Sequence, residues 1–163
     1  MLRFAVYDLL AEGARVVLVA RRPGLAGTQP GLLAVAADWT DPGGFATTVG
    51  SALGDVRPAE ALLWVHSPYA ARVHAALDPL LHPHAVVVQL YGSAASDLRS
   101  VPVPTEYGPP RCYRRVVLGY VDEPDAGTRW LTDREISDGA VAALRDPASR
   151  WIVGRVDPWD DHP

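Results

Sequence analysis

The chain has 163 residues, 48% hydrophobic and 21% charged, with a net charge of −4. That length suits a single domain spanning 1–163, whose core buries roughly two thirds of the unfolded surface. The acidic balance and the lack of basic runs exclude nucleic acid and anionic membrane surfaces as expected partners, and no apolar run reaches the length of a membrane span.

The first residues lack the ordered charged, apolar and cleavage regions of a signal peptide. The single cysteine, Cys112, rules out an intrachain disulfide, so a reducing cytoplasm is the expected location. All fifteen basic residues are arginine and none is lysine. Arginine keeps its proton, so mechanisms built on a catalytic lysine are excluded.

In chain order, Leu2, Val6, Leu9 and Leu10 recur at helical spacing and Gly13 sits at a C-cap position, which predicts a helix over residues 2–12. The rival reading, a strand over Leu2–Tyr7, would need a hairpin into residues 15–20. Those residues form a β-branched run of the fully buried, parallel-sheet type, ending in Arg21-Arg22. A Gly/Pro-rich loop leads to a strand over Leu32–Ala37, then Asp38-Trp39-Thr40-Asp41-Pro42 and a weak helix over Phe45–Leu53. Ala61–His66 is a third strand, and Ser67-Pro68 opens a helix to about Leu77, with Pro79 beyond its end. Ala85–Tyr91 is a fourth strand ending in Gly92-Ser93, and the proline-rich stretch to Pro110 reads as a loop. Cys112–Val121 is a fifth strand, Thr132 and Glu135 make a capping box for a helix over 133–144, and Trp151–Val156 is the last strand. Alternating strands and helices point to an α/β fold with a mainly parallel sheet of about six strands.

In a Rossmann fold the group that reads the adenosine ribose ends the second strand, about 20 residues after a glycine-rich phosphate loop. Counting back from Arg21 lands on Met1, so the sheet is expected to lack its first strand and the pyrophosphate loop. That arithmetic implies a truncated N-terminus, with the glycine loop encoded directly upstream. Two arginines after such a strand suit the 2′-phosphate of NADP through paired charge-assisted bonds; the alternative is a solvated pair. Asp38 is either an acceptor for an adenine amino group, with Trp39 as a stacking face, or a turn-capping aspartate. His66 and Ser67 lie where ligands approach open α/β sheets, and His66 reads equally as an ordinary strand-end residue.

The order strand–Arg21-Arg22, strand–Asp38-Trp39-Thr40-Asp41, strand–His66-Ser67-Pro68, strand–Gly92-Ser93 resembles the short-chain dehydrogenase/reductase superfamily with its first strand removed. Leu118-Gly119-Tyr120-Val121, Arg129-Trp130-Leu131-Thr132, Glu135-Ile136-Ser137 and Pro158-Trp159 are similar to a small bacterial group of that superfamily. The resemblance implies a Rossmann domain using NADP, with Arg21, Arg22, Asp38, Trp39, His66 and Ser67 at the cofactor. It implies hydride transfer on a small carbonyl or alcohol, with Ser93 polarising the oxygen and Tyr107 as the acid. The superfamily pairs its tyrosine with a lysine one helical turn on. Here Arg111 stands at that spacing, and Pro109 and Pro110 break any helix between them.

His74, His82 and His84 lack metal-ligand spacing and read as solvated or helix-end residues, so no metal is expected. Cys112 reads as buried and inert, and Trp130, Trp151 and Trp159 as core. The expectation is therefore an NADP-type domain with weak or no dehydrogenase activity. The alternative is a non-catalytic nucleotide-sensing or protein-interaction module. A homo-oligomer is compatible with either.

Overall fold

The computed structural model describes residues 1–24, 29–66, 68–92, 110–124, 127–148, 150–157 and 163. The first helix, α1 (Arg3–Ala11), turns at Gly13 into β1 (Val16–Ala20), which pairs in parallel with β2 (Leu32–Ala36). Helix α2 spans Pro42–Leu53, starting three residues before the apolar pattern does. Asp41 explains the earlier start: its carboxylate accepts from Gly44 N at 3.2 Å, and Pro42 fills a position that needs no donor.

β3 (Glu60–Leu63) leads to α3 (Ala70–Leu77) and a 3₁₀ turn at Asp78–Leu80, then β4 (Val86–Tyr91). β5 (Cys112–Leu118) and β8 (Arg150–Val153) complete a four-stranded parallel sheet in the order β3-β4-β5-β8. Before β8 comes α4 (Asp133–Arg145), opened by the expected capping box at Thr132 and Glu135. Helices flank this sheet on both faces, as an α/β fold requires.

The expected strand over 112–121 is two elements. At Gly119 the chain leaves the parallel sheet and enters a hairpin of β6 (Tyr120–Glu123) and β7 (Gly127–Trp130). A side chain on Gly119 would run into the backbone carbonyl of Arg155, so only glycine allows the approach. Tyr120 N then donates to Arg155 O at 2.9 Å, and Arg155 N returns to Tyr120 O at 2.7 Å.

Strand alternation divides the core between two helix pairs. Val88, Leu90, Val116 and Leu118 turn toward α4, where Ile136, Ala140, Ala143 and Leu144 are buried and Leu2, just before α1, and Leu9 of α1 pack alongside. On the other face α2 and α3 bury Phe45, Val49, Leu53, Val73 and Leu77, with Val17, Val19, Leu63 and Val65 against them. Each large apolar side chain removed from water there contributes roughly 1.5–3 kcal/mol.

Three burial expectations are corrected. His74 does stand in the last turn of α3, a helix-end position, but it is fully buried rather than solvated, because it lies on the inward stripe opposite Gln89. Cys112 is exposed, standing at the first position of β5, beyond the level where Arg114 and Val116 meet α4. Trp130 is 44% exposed, because the hairpin that carries it stands off the parallel sheet.

The parallel strands form two pieces: β1-β2 and β3-β4-β5-β8. Among the described residues no backbone hydrogen bond joins β1 to β3.

Candidate functional site

The carboxyl ends of β1 and β2 are held together by Ala37 N donating to Ala20 O at 3.1 Å. Arg21 follows one strand and Asp38-Trp39 the other. The Arg21 guanidinium carbon lies 5.4 Å from the centroid of the Trp39 ring, within cation–π range. Trp39 is half-buried against the cluster that includes Ala37, Phe45 and Val49, so its ring is a fixed platform.

Asp38 is exposed beside them, and its Oδ1 accepts from Thr40 N at 2.9 Å. That backbone bond, then the Thr40 hydroxyl and the nearby Arg21 charge, hold its carboxyl below the usual aspartate range. Asp38 is therefore ionised at neutral pH, an acceptor-only group. Its bond to Thr40 N makes it a turn-capping aspartate. Arg22 is exposed next to Arg21.

His66 lies past the carboxyl end of β3, exposed, with its ring edge-on to Trp64 at 5.5 Å. Its carbonyl accepts from Tyr69 N at 2.9 Å in the turn into α3. Val65, Tyr69 and Trp39 pack against one buried cluster, which brings the β2 and β3 ends to the same side of α2 and α3. Ser67, Ser93, Tyr107 and Trp159 lie outside the described residues.

Arg111 sits at the other end of the molecule. It precedes β5 and is clamped at Asp78, with Nη1 to Oδ1 at 2.5 Å and Nη2 to the Asp78 carbonyl at 2.8 Å. A guanidinium at the amino end of β5 is remote from a site at the carboxyl ends.

Two groupings were not legible in the sequence. Buried His74 Nε2 meets Gln89 Oε1 at 2.7 Å, and Gln89 Nε2 donates to Leu90 O at 2.7 Å. Tyr91, two residues before Ser93, shares a 2.8 Å hydrogen bond with the Tyr113 hydroxyl, and burial pushes its pKa up. An Arg-Arg pair and an Asp-Trp pair after consecutive strands were the only signal that Arg21 and Trp39 meet. Among the described residues no group of three His, Cys, Asp or Glu side chains is placed to hold a metal, and no helix is long and apolar enough to cross a membrane.

No family model matches the chain, and no curated protein matches it. Two crystal structures of a carbonyl reductase from Pseudomonas aeruginosa PAO1 do resemble it in three dimensions, each with a TM-score of 0.56 at 20% identity. The match covers 98% of this chain and 92% of that one. The fold is α/β, with a four-stranded parallel sheet flanked by helices, similar to the fold of that carbonyl reductase. At that identity the likeness is one of architecture.

Proposed function

We propose that this domain binds NADP at the carboxyl ends of β1 and β2 and, as it stands, has little or no dehydrogenase activity. One observation carries the reading: Arg21, Asp38 and Trp39, which arrive from two strands, converge at one edge. An exposed guanidinium held over an aromatic ring presents planar donors to a phosphate, and Arg22 adds a second set. Asp38, ionised, is an acceptor for the adenine amino group, and Trp39 supports both.

These residues fit the adenosine 2′-phosphate end of the cofactor. His66, Ser67 and Ser93 are proposed to line the nicotinamide end, with Tyr107 as the acid. When bound, the nicotinamide supplies hydride to or from a small carbonyl or alcohol carbon. The chain's own part in that chemistry is weak, because no lysine is present to tune a tyrosine and Arg111 is committed to Asp78. That same absence favours the second reading, a nucleotide-sensing or interaction module that keeps the fold without the reaction.

Titration with NADPH and with NADH, followed by quenching of tryptophan fluorescence, tests the reading. NADPH binding in preference to NADH, lost in Arg21→Ala/Arg22→Ala, supports it. Equal binding of both cofactors, or binding that survives the double substitution, overturns it.

A further inference from the structure

β3 and β4 stop pairing before β4 ends, and the ladder shows where. Val86 N donates to Ala59 O, so the even residues of β4 and the odd residues of β3 turn their peptide groups toward each other. The last pair is Leu63 with Gln89. One step further, the same register would set Val65 N on Leu90 O and Gly92 N on Val65 O. Neither bond is made, and among the described residues neither N–H has a hydrogen-bond partner.

Both carbonyls of that rung go instead to one side chain. Gln89 is fully buried, and its Nε2 donates to Leu90 O at 2.7 Å and to Val65 O at 3.4 Å. An amide nitrogen has two hydrogens, so both are used, and Oε1 is left to accept from His74 Nε2 at 2.7 Å. His74 is buried in α3, which fixes the amide from behind. Gln89 thus takes the acceptors of the rung and leaves its donors. On the opposite face the Trp64 ring lies against Gly92, where a Cβ would stand 3.3 Å from Trp64 Cη2. The gap is therefore walled on both faces and opens along the strand ends, beside exposed His66.

We propose that Val65 N and Gly92 N form a two-donor site for one oxygen of a small ligand, a carboxylate or a polarised carbonyl, and that Gln89 is the positioning residue that keeps it open. Ladders normally satisfy such groups, so two neighbouring backbone donors without acceptors mark a place built to receive one. Donors already fixed in the fold favour an oxygen that bears or gains negative charge, because nothing must reorganise to meet it. The inference deepens the cofactor reading, which places the reacting end of a ligand beside His66. The donors and Gln89 themselves need no cofactor, and they lie apart from the edge where Arg21 meets Trp39.

The probe is acetate, added to the full chain while amide shifts and exchange are followed by NMR, with sodium chloride at equal ionic strength as the control. Acetate is expected to move the Val65 and Gly92 amide protons downfield in a saturable way, and neutral acetamide to do so more weakly. Removing the wedge should let the rung close. In His74→Leu/Gln89→Leu, which takes away both buried partners, the two amides are expected to exchange roughly tenfold more slowly, and the acetate shift to vanish. A merely structural role for Gln89 predicts the opposite sign, faster exchange. The proposal is overturned if chloride moves the two amides as far as acetate does, or if both are as protected as Val88 in the unliganded chain. Unchanged exchange and an unchanged acetate shift in the double variant would overturn it as well. NADPH affinity enters none of these readouts, so failure here leaves the cofactor reading standing, and failure of NADPH binding leaves these shifts to be read.

Discussion

The Arg21 guanidinium stacks 5.4 Å from the Trp39 ring centroid, so the two adjacent strands present one composite surface. If that surface reads a 2′-phosphate, Arg21→Ala removes a charge-assisted contact worth roughly 1.5–3 kcal/mol. NADPH affinity is then expected to fall by roughly 10- to 100-fold while NADH affinity changes little. Trp39→Leu should show the same selectivity more weakly, because the arginine stays but loses its platform. Fluorescence titration on Arg21→Ala, and calorimetry on Trp39→Leu, measure both. A uniform loss for the two cofactors would mean a folding defect or a site elsewhere.

The buried His74–Gln89 pair makes a second prediction. Removing the imidazole in His74→Ala strands Gln89 Oε1 in the core and opens a cavity. Together these cost about 2–4 kcal/mol, read as a lower urea midpoint at unchanged slope. The double substitution His74→Leu/Gln89→Leu should cost less than the sum of its single changes, because it removes both polar partners at once.

Glu135 supplies a pH dependence. Its carboxylate takes two bonds from Arg129, at 2.8 and 3.0 Å, and one from Thr132 N at 2.8 Å. Arg129 first, and then the Thr132 backbone, lower its pKa to about 2. A depressed carboxyl stabilises the fold fully above its unfolded pKa, about 4.3, and loses that contribution as pH falls through the folded value. Unfolding free energy should therefore drop between about pH 4.5 and 2, and Glu135→Gln should flatten that part of the curve. Both side chains are about one-third exposed, so solvent screening holds the effect to roughly 1 kcal/mol. Identical acid limbs in the two proteins would refute the assignment.

Gly119→Ala tests the strand break. The new methyl meets the Arg155 carbonyl, so the backbone must move. A loss of about 1–3 kcal/mol is expected, with faster amide exchange in Tyr120–Glu123 and Gly127–Trp130 while Val86–Tyr91 keeps its protection. Uniform exchange across both regions would show that the hairpin is not a separate unit.

Local rules made much of the architecture readable. The Thr132–Glu135 box acts within a few residues and matches the structure, and the β-branched run over 15–20 does form a strand, at Val16–Ala20, though a half-buried one; the cap at Asp41, which starts α2 three residues early, went unread. The hairpin was hidden because Tyr120 and Val121 continue the apolar pattern of β5. Only the approach of Arg155, some 35 residues on, shows why Gly119 leaves the sheet. The burial of His74 was hidden for the same reason: its partner Gln89 lies 15 residues away on another element.

By itself the sequence determined the element order, the parallel class of the sheet and the chemistry that is excluded, since periodicity, capping and the absence of lysine are properties of neighbours and of composition. Tertiary structure decided which of these elements meet. It brought Arg21 onto Trp39, sent Arg111 to Asp78 at the opposite end, and used Arg145 to hold β1 and β3 in one frame without pairing them. Such contacts depend on strand order and helix packing in space, which no local pattern of residues encodes.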